Sequence, residues 1–370
     1  MYSPLRLFNN LGLLVALLVM LTACAVMPEE TPQQEAKPPA YPPPPDEPRF
    51  VYERTIFSSG DVVPEDQNSR LRRVLTGETR SGEGMAKPYA VAVHKGRIFV
   101  SDTAEHVVKV FDVAQGKFFR IGADEPGLLA KPLGLDVASD GTLFVADTTA
   151  KAIMVYDRDG RFLRKLGDSE SFQRLSSVTV DASGEKLYVV DIGGVSSDKH
   201  RLRVMSAIDG RIIQDIGQRG KGNGEFNLPR DAALGKDGRI YVVDGGNFRV
   251  QTFDKEGKYI KSFGAVGKQM GNFARPKEVA TDREGNVYVV DAAFGNFQIF
   301  NPEGELLMFV GERSASDGPA RYMLPSGIFV DEDGRVYMVD QWFKKIDVFR
   351  PYSLPADKGF LTPPSPVVAK

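Results

Sequence analysis

The chain has 370 residues, of which 42% are hydrophobic and 26% charged, a balance typical of soluble globular proteins. Its 47 Lys and Arg residues against 49 Asp and Glu residues give a formal net charge of −2, so no strong overall field attracts nucleic acid or an anionic membrane. A single cysteine excludes a disulfide scaffold and a metal site of several thiolates, and three histidines leave little for zinc or acid–base chemistry.

Residues 1–23 have the pattern of an export signal peptide. Arg6 is the only charged residue before an apolar run over residues 11–21, which is shorter than the roughly 20 residues that a membrane-spanning helix needs. Leu21-Thr22-Ala23-Cys24 resembles the bacterial lipobox. The resemblance implies cleavage before Cys24 and acylation of this cysteine, for example with palmitate, and Ala25 favours the outer membrane. A signal anchor, or a secretory signal with a chance cysteine, is the alternative.

Proline-rich segments flank the part that is expected to fold. Nine of the 21 residues from 28 to 48 are proline, so residues 24–48 are predicted to form a semi-rigid tether between the lipidated cysteine and the domain. The tail over residues 355–370 contains Pro363-Pro364-Ser365-Pro366 and is expected to be disordered. These assignments leave residues 49–354 for the folded domain.

A strand-like phrase recurs six times within this domain. Each copy ends in an aspartate, and the separations between successive aspartates are 45, 44, 53, 47 and 49 residues: Asp102, Asp147, Asp191, Asp244, Asp291 and Asp340. In five copies a proline lies 14 or 15 residues before the aspartate. β-Branched and aromatic residues alternate with turn residues, so each unit is predicted to contain four short strands. Such units predict an all-β fold, a six-bladed β-propeller of four-stranded blades.

The ring is predicted to close through an N-terminal strand. Blade six stops after its third strand at residues 347–350, where the other blades continue into a fourth. Residues 70–77 precede Pro88 by nearly the spacing found between the other blades, so we assign the missing strand to them. Residues 51–57 are expected to form a further strand outside it.

The blade sequences resemble NHL-repeat propellers, whose consensus combines Gly-x-x-Gly-x-x-x-Gly-x-Phe-x-x-Pro with Tyr-Val-x-Asp and Asn-x-Arg-Val-x-x-Phe. Residues 217–229 and 264–276 match the first part, and residues 244–253 complete the pattern in blade four. The resemblance extends over roughly residues 70–354. Asn-x-Arg occurs only in blade four, so a binding role for Arg249 is expected there alone.

In a propeller, the loops after the fourth strands and between the second and third strands emerge on one face around the central channel, which favours this face for binding. Arg230 and Asp231 follow the opening proline of blade four, and Lys277 and Glu278 follow that of blade five. They predict a mixed-charge patch at the channel mouth, in which Arg230 and Lys277 hold a polar or anionic ligand. A salt-bridge network without a ligand is the alternative. The six aspartates are expected to stabilise turns by accepting backbone hydrogen bonds.

Two loops on the same face carry further candidates. A polar insertion over residues 192–200, which ends at His200, is either a partner contact or a tolerated surface loop. Trp342, the only tryptophan, lies in a polar turn of blade six before Phe343 and Lys344, and it predicts an interface anchor. Packing of Trp342 against the neighbouring blade is the alternative.

The histidines do not favour catalysis. The amidating lyase that resembles this fold needs several histidines in its channel for zinc, whereas His94, His106 and His200 fall in loops. We therefore assign no catalytic residue, metal ligand or cofactor.

Together these features predict a monomeric, membrane-anchored propeller lipoprotein of the bacterial envelope, in the periplasm or at the cell surface. It is expected to bind or scaffold a protein partner through its loop-rich face, and not to bind nucleic acid, which needs a basic stripe. A metal-dependent, lactonase-like hydrolase or lyase with a divalent cation in the channel is the alternative.

Overall fold

The computed structural model describes residues 37–65, 67–77, 82–194 and 196–362. The apolar run over residues 11–21, Cys24 and the first part of the tether lie outside these ranges, so export, lipidation and anchoring stay predictions. Within the described ranges, no helix has the length and apolar character needed to cross a membrane.

The strands of each blade form an antiparallel sheet. The strands and the α-helix have the following bounds. The N-terminal elements are β1 (Ala40–Tyr41), β2 (Phe50–Ile56) and α1 (Gln67–Thr76). Blade one comprises β3 (Pro88–His94), β4 (Arg97–Asp102), β5 (Val107–Asp112) and β6 (Lys117–Ile121). Blade two comprises β7 (Pro132–Val137), β8 (Leu143–Asp147), β9 (Ala152–Tyr156) and β10 (Phe162–Leu166). Blade three comprises β11 (Leu175–Val180), β12 (Lys186–Asp191), β13 (Arg201–Ser206) and β14 (Ile212–Ile216).

The remaining blades repeat this arrangement. Blade four comprises β15 (Pro229–Leu234), β16 (Ile240–Asp244), β17 (Arg249–Phe253) and β18 (Tyr259–Phe263). Blade five comprises β19 (Pro276–Thr281), β20 (Val287–Asp291), β21 (Asn296–Phe300) and β22 (Leu306–Val310). A short parallel pair, β23 (Glu312–Arg313) and β24 (Arg321–Tyr322), precedes blade six. Blade six contains β25 (Pro325–Val330), β26 (Val336–Asp340) and β27 (Lys345–Pro351).

The first strand of each blade lies innermost. These strands contact one another in turn around the axis, and β25 contacts β3, so the ring is closed. The predicted six-bladed, four-stranded all-β propeller is therefore confirmed. The innermost strands begin, and the second strands end, on one face, as in the pairing of Pro229 with Asp244. We call this the proline face, and the opposite face, which carries the turns between first and second strands, the turn face.

An N-terminal strand completes blade six, as predicted, but its position was predicted wrongly. Strand β2 pairs antiparallel with β27, from Phe50 opposite Pro351 to Ile56 opposite Ile346, and β1 pairs outside β2. Residues 67–76 instead form helix α1. The apolar spacing Leu71-x-x-Val74-Leu75 has the period of a helix face, whereas Phe50 and Ile56 are aromatic and β-branched residues that are buried in the sheet.

The prediction of a disordered tail from residue 355 is wrong for residues 355–362. Leu361 is fully buried in an apolar cluster formed with blades one and six. The Lys358 carbonyl accepts a hydrogen bond from the fully buried Arg335 guanidinium, and Phe360 N–H donates to Asp333. Burial of an apolar side chain and satisfaction of a buried cation together hold this segment against the propeller.

Phenylalanine side chains fill the spaces between blades. Phe226 is fully buried and packs with residues of blades three and four, and Phe273 is fully buried between blades four and five. Gly217 and Gly264 have φ of +79°, and a Cβ at either position would lie 2.3 Å from the ring of the following phenylalanine. The glycine and the phenylalanine of the repeat are thus required together, and the phenylalanines have the wedge role that the sequence predicts.

Candidate functional site

The aspartates that end the second strands stabilise the proline face. Asp147 is fully buried and accepts hydrogen bonds from the backbone N–H groups of Thr149 and Ala150, in the turn that follows, at 3.0 and 2.8 Å. It also accepts from Ala130 and Lys131, in the loop that enters the innermost strand, at 2.6 and 3.0 Å. Blades one, five and six repeat this pattern. The predicted turn role is confirmed, and the bonds to the entering loop were not foreseen.

Blade four replaces part of this arrangement with side chains. The Arg249 guanidinium donates to Asp244 Oδ2 at 2.9 Å and to the Gly222 carbonyl at 2.6 Å, while Asn247 donates to the Gly220 carbonyl at 2.9 Å. The Asn-x-Arg motif thus fixes the Gly-rich loop over residues 217–228. Arg249 is occupied by these contacts, so the structure gives it a structural role in place of the predicted ligand contact.

Asp231 and Glu278 do not lie in a surface patch at the mouth. Both are only 8% exposed. Asp231 accepts a hydrogen bond from Val279 N–H of blade five at 2.9 Å, and Glu278 accepts a long one from Ile328 N–H of blade six at 3.4 Å. They connect innermost strands around the axis. Both carboxylates lie where the register of the innermost strand shifts, between Pro229 and Ala232 and between Pro276 and Val279.

Arg230 and Lys277 are half-buried at the centre of the proline face. Lys277 Nζ lies 5.9 Å from the ring centroid of Tyr89, which comes from blade one, so side chains from blades five and one meet at the axis. Burial, reinforced by the positive charges of Arg275 and Arg230, lowers the pKa of Lys277 to about 8. The Glu278 carboxylate partly opposes this shift.

Four further basic residues, which were not predicted from the sequence, surround this centre. Lys87, Lys131, Arg174 and Arg275 each directly precede an innermost strand, and all four are exposed. We call these four residues, together with Arg230 and Lys277, the cationic mouth. Among the described residues, no carboxylate forms an ion pair with any of the six. Their recurrence at one position of the repeat is a signal that the sequence contained.

A cavity of about 950 Å³ lies behind the mouth and reaches the turn face. Innermost strands of all six blades line it with mainly apolar side chains, and Asp136, Asp231 and Glu278 are its inner carboxyl groups. Burial raises the pKa of Asp136 to about 7 and that of Asp231 to about 6, and holds the pKa of Glu278 well above its usual value. In the part of the chain that the structure describes, no group of three or more His, Cys, Asp or Glu residues is placed to hold a metal ion.

The raised pKa of Asp136 predicts a measurable dependence of stability on pH. Between the ordinary pKa of 3.8 and the native value of about 7, the folded state binds more protons than the unfolded state, so stability falls as pH rises through this range. Asp136→Asn cannot titrate, and we expect it to reduce the loss of stability between pH 4 and pH 8 by about 2 kcal/mol. Urea denaturation at both pH values measures this. Asp237→Asn, at an exposed position, is the control, and equal slopes in both variants would disprove the assignment.

The remaining predicted site residues have contrasting positions. Trp342 is 62% exposed on the proline face, and Lys344 beside it is also exposed. His200 is fully buried, and its Nδ1 accepts a hydrogen bond from Leu228 N–H at 3.2 Å. His200 therefore holds the blade-three insertion against blade four and does not face a ligand in solvent.

The family model of the NHL repeat matches residues 226–253. The chain carries an NHL repeat within a six-bladed β-propeller. The matched repeat runs from the buried Phe226 through Asp244 and Arg249 to Phe253, the residues that fix the Gly-rich loop and the contact between blades three and four. The resemblance predicted from the sequence is thereby confirmed.

Known proteins resemble parts of this chain or its fold. NHL repeat-containing protein 3 of Mus musculus is 38% identical over 85 residues, 23% of this chain and 23% of that protein. A probable peptidyl-alpha-hydroxyglycine alpha-amidating lyase of Caenorhabditis elegans is 28% identical over 111 residues, 29% of this chain and 30% of that protein. The chain thus matches less than a third of the length of either relative. A gluconolactonase of Xanthomonas campestris shares the fold with a TM-score of 0.55 at 14% identity, over 85% of this chain and 97% of that one.

Proposed function

We propose that this protein is a membrane-anchored binding module of the bacterial envelope, which docks a protein partner on its proline face. The observation that carries the proposal is the 62% exposure of Trp342 on the same face as the cationic mouth. Tryptophan is enriched among the residues that dominate binding energy in protein interfaces, and an exposed one is costly to leave in water.

The loop that presents Trp342 is held in place before any partner binds. The backbone N–H of Trp342 donates to Asp340 Oδ1 at 2.9 Å, and the N–H of Phe343 donates to the same oxygen at 2.8 Å. The following Lys345 is fully buried in ion pairs with Asp317 and Asp347. A preorganised anchor costs little conformational entropy on binding, which favours an interface role over a mobile surface loop.

The anchoring part of the proposal rests on the sequence. Cys24 and its lipobox-like context imply lipid attachment, and the proline-rich segment supplies a spacer between the membrane and the propeller. A propeller held in this way presents its face to other envelope proteins and needs no transmembrane helix.

Substitution of the exposed tryptophan tests the docking role. We expect Trp342→Ala to reduce the amount of partner captured by crosslinking from native membranes about tenfold, because a central aromatic anchor contributes roughly 1.4 kcal/mol or more. Tyr352→Ala is the matched control, since Tyr352 is 57% exposed and lies beyond the other end of β27. Equal capture by both variants would refute the proline face as the docking surface.

The cavity supports a second candidate, a hydrolase or lyase. Asp136, Asp231 and Glu278 have raised pKa values that suit general acid–base chemistry, and the relatives include a probable lyase and a gluconolactonase. The described residues do not fit a resident metal, because they hold no suitable ligand group and the two innermost carboxylates already accept backbone hydrogen bonds. Lactone turnover that is lost in Asp136→Asn would favour this candidate over the binding module.

A further inference from the structure

We infer that the cationic mouth binds an acidic segment of the partner protein, a short run of Asp or Glu side chains laid over the channel entrance. This inference deepens the proposed function and rests on it. The six basic residues come from five of the six blades, and they occupy only two positions of the repeat, directly before the innermost strand or at its second residue. The closed ring of innermost strands therefore brings them together around one axis.

The basic side chains of the mouth differ from the buried cations of the propeller in their pairing. The fully buried cations elsewhere are each paired: Lys109 with Glu105 at 2.8 Å, Arg335 with Glu53 at 2.7 Å and Lys345 with Asp317 at 2.9 Å. In contrast, no carboxylate among the described residues forms an ion pair with a member of the mouth. Cations with a structural role are thus neutralised by carboxylates, whereas those of the mouth are left available for a ligand.

The carboxylates nearest to the mouth are buried and bond to the backbone instead of the basic side chains. Four fully buried aspartates accept hydrogen bonds from the backbone N–H groups of mouth residues: Asp102, Asp147, Asp191 and Asp291. Asp231 and Glu278 point away from the proline face and accept backbone hydrogen bonds from the next blade. Their raised pKa values show that burial disfavours their charged forms. The basic side chains of the mouth are therefore available to an incoming carboxylate, although the whole chain has a net charge of only −2.

Crowding of the cations indicates what a ligand would change. Burial lowers the pKa of Lys277 most, and the positive charges of Arg275, Arg230 and Lys87 lower it further, whereas Glu278 raises it. A bound carboxylate would oppose the effect of the neighbouring cations and favour the protonated lysine. Binding near pH 8 should therefore be accompanied by proton uptake, which a purely structural lysine would not show.

The shape of the site favours a peptide lying across the entrance. Lys277 and Tyr89 meet at the axis, where a peptide on the proline face would lie over both. The positive charge forms a compact ring and no stripe, which suits a few closely spaced carboxylates better than an extended nucleic-acid backbone. Arginine and lysine both bind carboxylates through charge-assisted hydrogen bonds.

Titration of the purified full-length protein with hexaglutamate tests the inference. We expect saturable binding at low salt that weakens as salt increases, with proton uptake at pH 8 seen as a dependence of the binding heat on the buffer. The triple variant Arg174→Gln, Arg230→Gln, Lys277→Gln should bind at least tenfold more weakly. The matched control replaces three exposed lysines of the turn face, Lys95, Lys236 and Lys255, with Gln and should bind as the unmodified protein does.

A second variant distinguishes loss of binding from loss of folding. Lys87→Gln with Arg275→Gln changes only exposed side chains, and we expect it to weaken binding severalfold without changing the melting temperature. No binding of hexaglutamate, or equal binding by the mouth and turn-face variants, would overturn the inference. Equal affinity for hexathymidylate would overturn the peptide assignment. Loss of partner capture in Trp342→Ala is a separate result, so failure of the docking proposal and failure of this inference are distinguishable.

Discussion

Replacement of Asp147 by Ala is expected to lower the free energy of unfolding by about 4 kcal/mol. The carboxylate is fully buried and accepts four backbone N–H groups, from Ala130, Lys131, Thr149 and Ala150. Alanine leaves these donors without an acceptor, and each buried unsatisfied donor costs roughly 1–3 kcal/mol, part of which relaxation recovers. Urea denaturation followed by far-ultraviolet circular dichroism measures the change.

Asp159→Ala is the control for this substitution. The Asp159 side chain is 62% exposed, and its ion pair with Arg97 is 3.9 Å long, so we expect a loss below about 0.5 kcal/mol. If Asp147→Ala costs no more than Asp159→Ala, water replaces the carboxylate and the aspartate does not hold the proline face together.

Arg335→Ala is expected to destabilise the protein by about 3–5 kcal/mol and to loosen the ring closure. The fully buried guanidinium contacts Glu53 of β2 at 2.7 Å, Asp333 at 2.8 Å and the Lys358 carbonyl of the C-terminal segment at 2.8 Å. Removal of the cation leaves Asp333 without an ion pair and Glu53 with only the longer pair to Arg54 at 3.7 Å, which is the costly case for a buried ion pair. Hydrogen exchange of the β2 amides measures the closure, and the urea midpoint measures global stability.

The control for ring closure is Arg158→Ala. Arg158 is 64% exposed and its ion pair with Asp159 is 3.9 Å long, so its loss should change neither measurement appreciably. Unchanged exchange in β2 after Arg335→Ala would show that the pairing with β27 alone closes the ring.

The blades could be predicted from the sequence because the residues that begin and end their strands recur at nearly fixed spacing. Buried strands that end in Asp, and innermost strands that begin with Pro, identify five blades directly. The closing strand could not be located by spacing. Strand β2 pairs with β27, but helix α1 lies between β2 and blade one in the chain, so the usual distance from a fourth strand to the next proline does not apply. The packed segment over residues 355–362 was missed because a proline-rich composition predicts disorder, and a single leucine, Leu361, gives no pattern that would indicate burial.

The candidate site was predictable in part. Arg230 and Lys277 were found because they follow the prolines. Asp231 and Glu278 were grouped with them, but they are buried and accept backbone hydrogen bonds from the next blade, and the register shifts at these positions are not visible in the sequence. Lys87, Lys131, Arg174 and Arg275 could have been found at the position before each innermost strand. The burial of His200 could not be predicted, because the path of an inserted loop depends on contacts with the next blade.

Photocrosslinking from the two faces tests the central claim most directly. A photoreactive amino acid is placed at position 342 on the proline face, or at position 352 beyond the opposite end of β27, in the full chain in its native membranes. We predict a discrete crosslinked protein from position 342, competed by hexaglutamate, and none from position 352. The same crosslinked protein from position 352 but not from position 342 would contradict docking on the proline face.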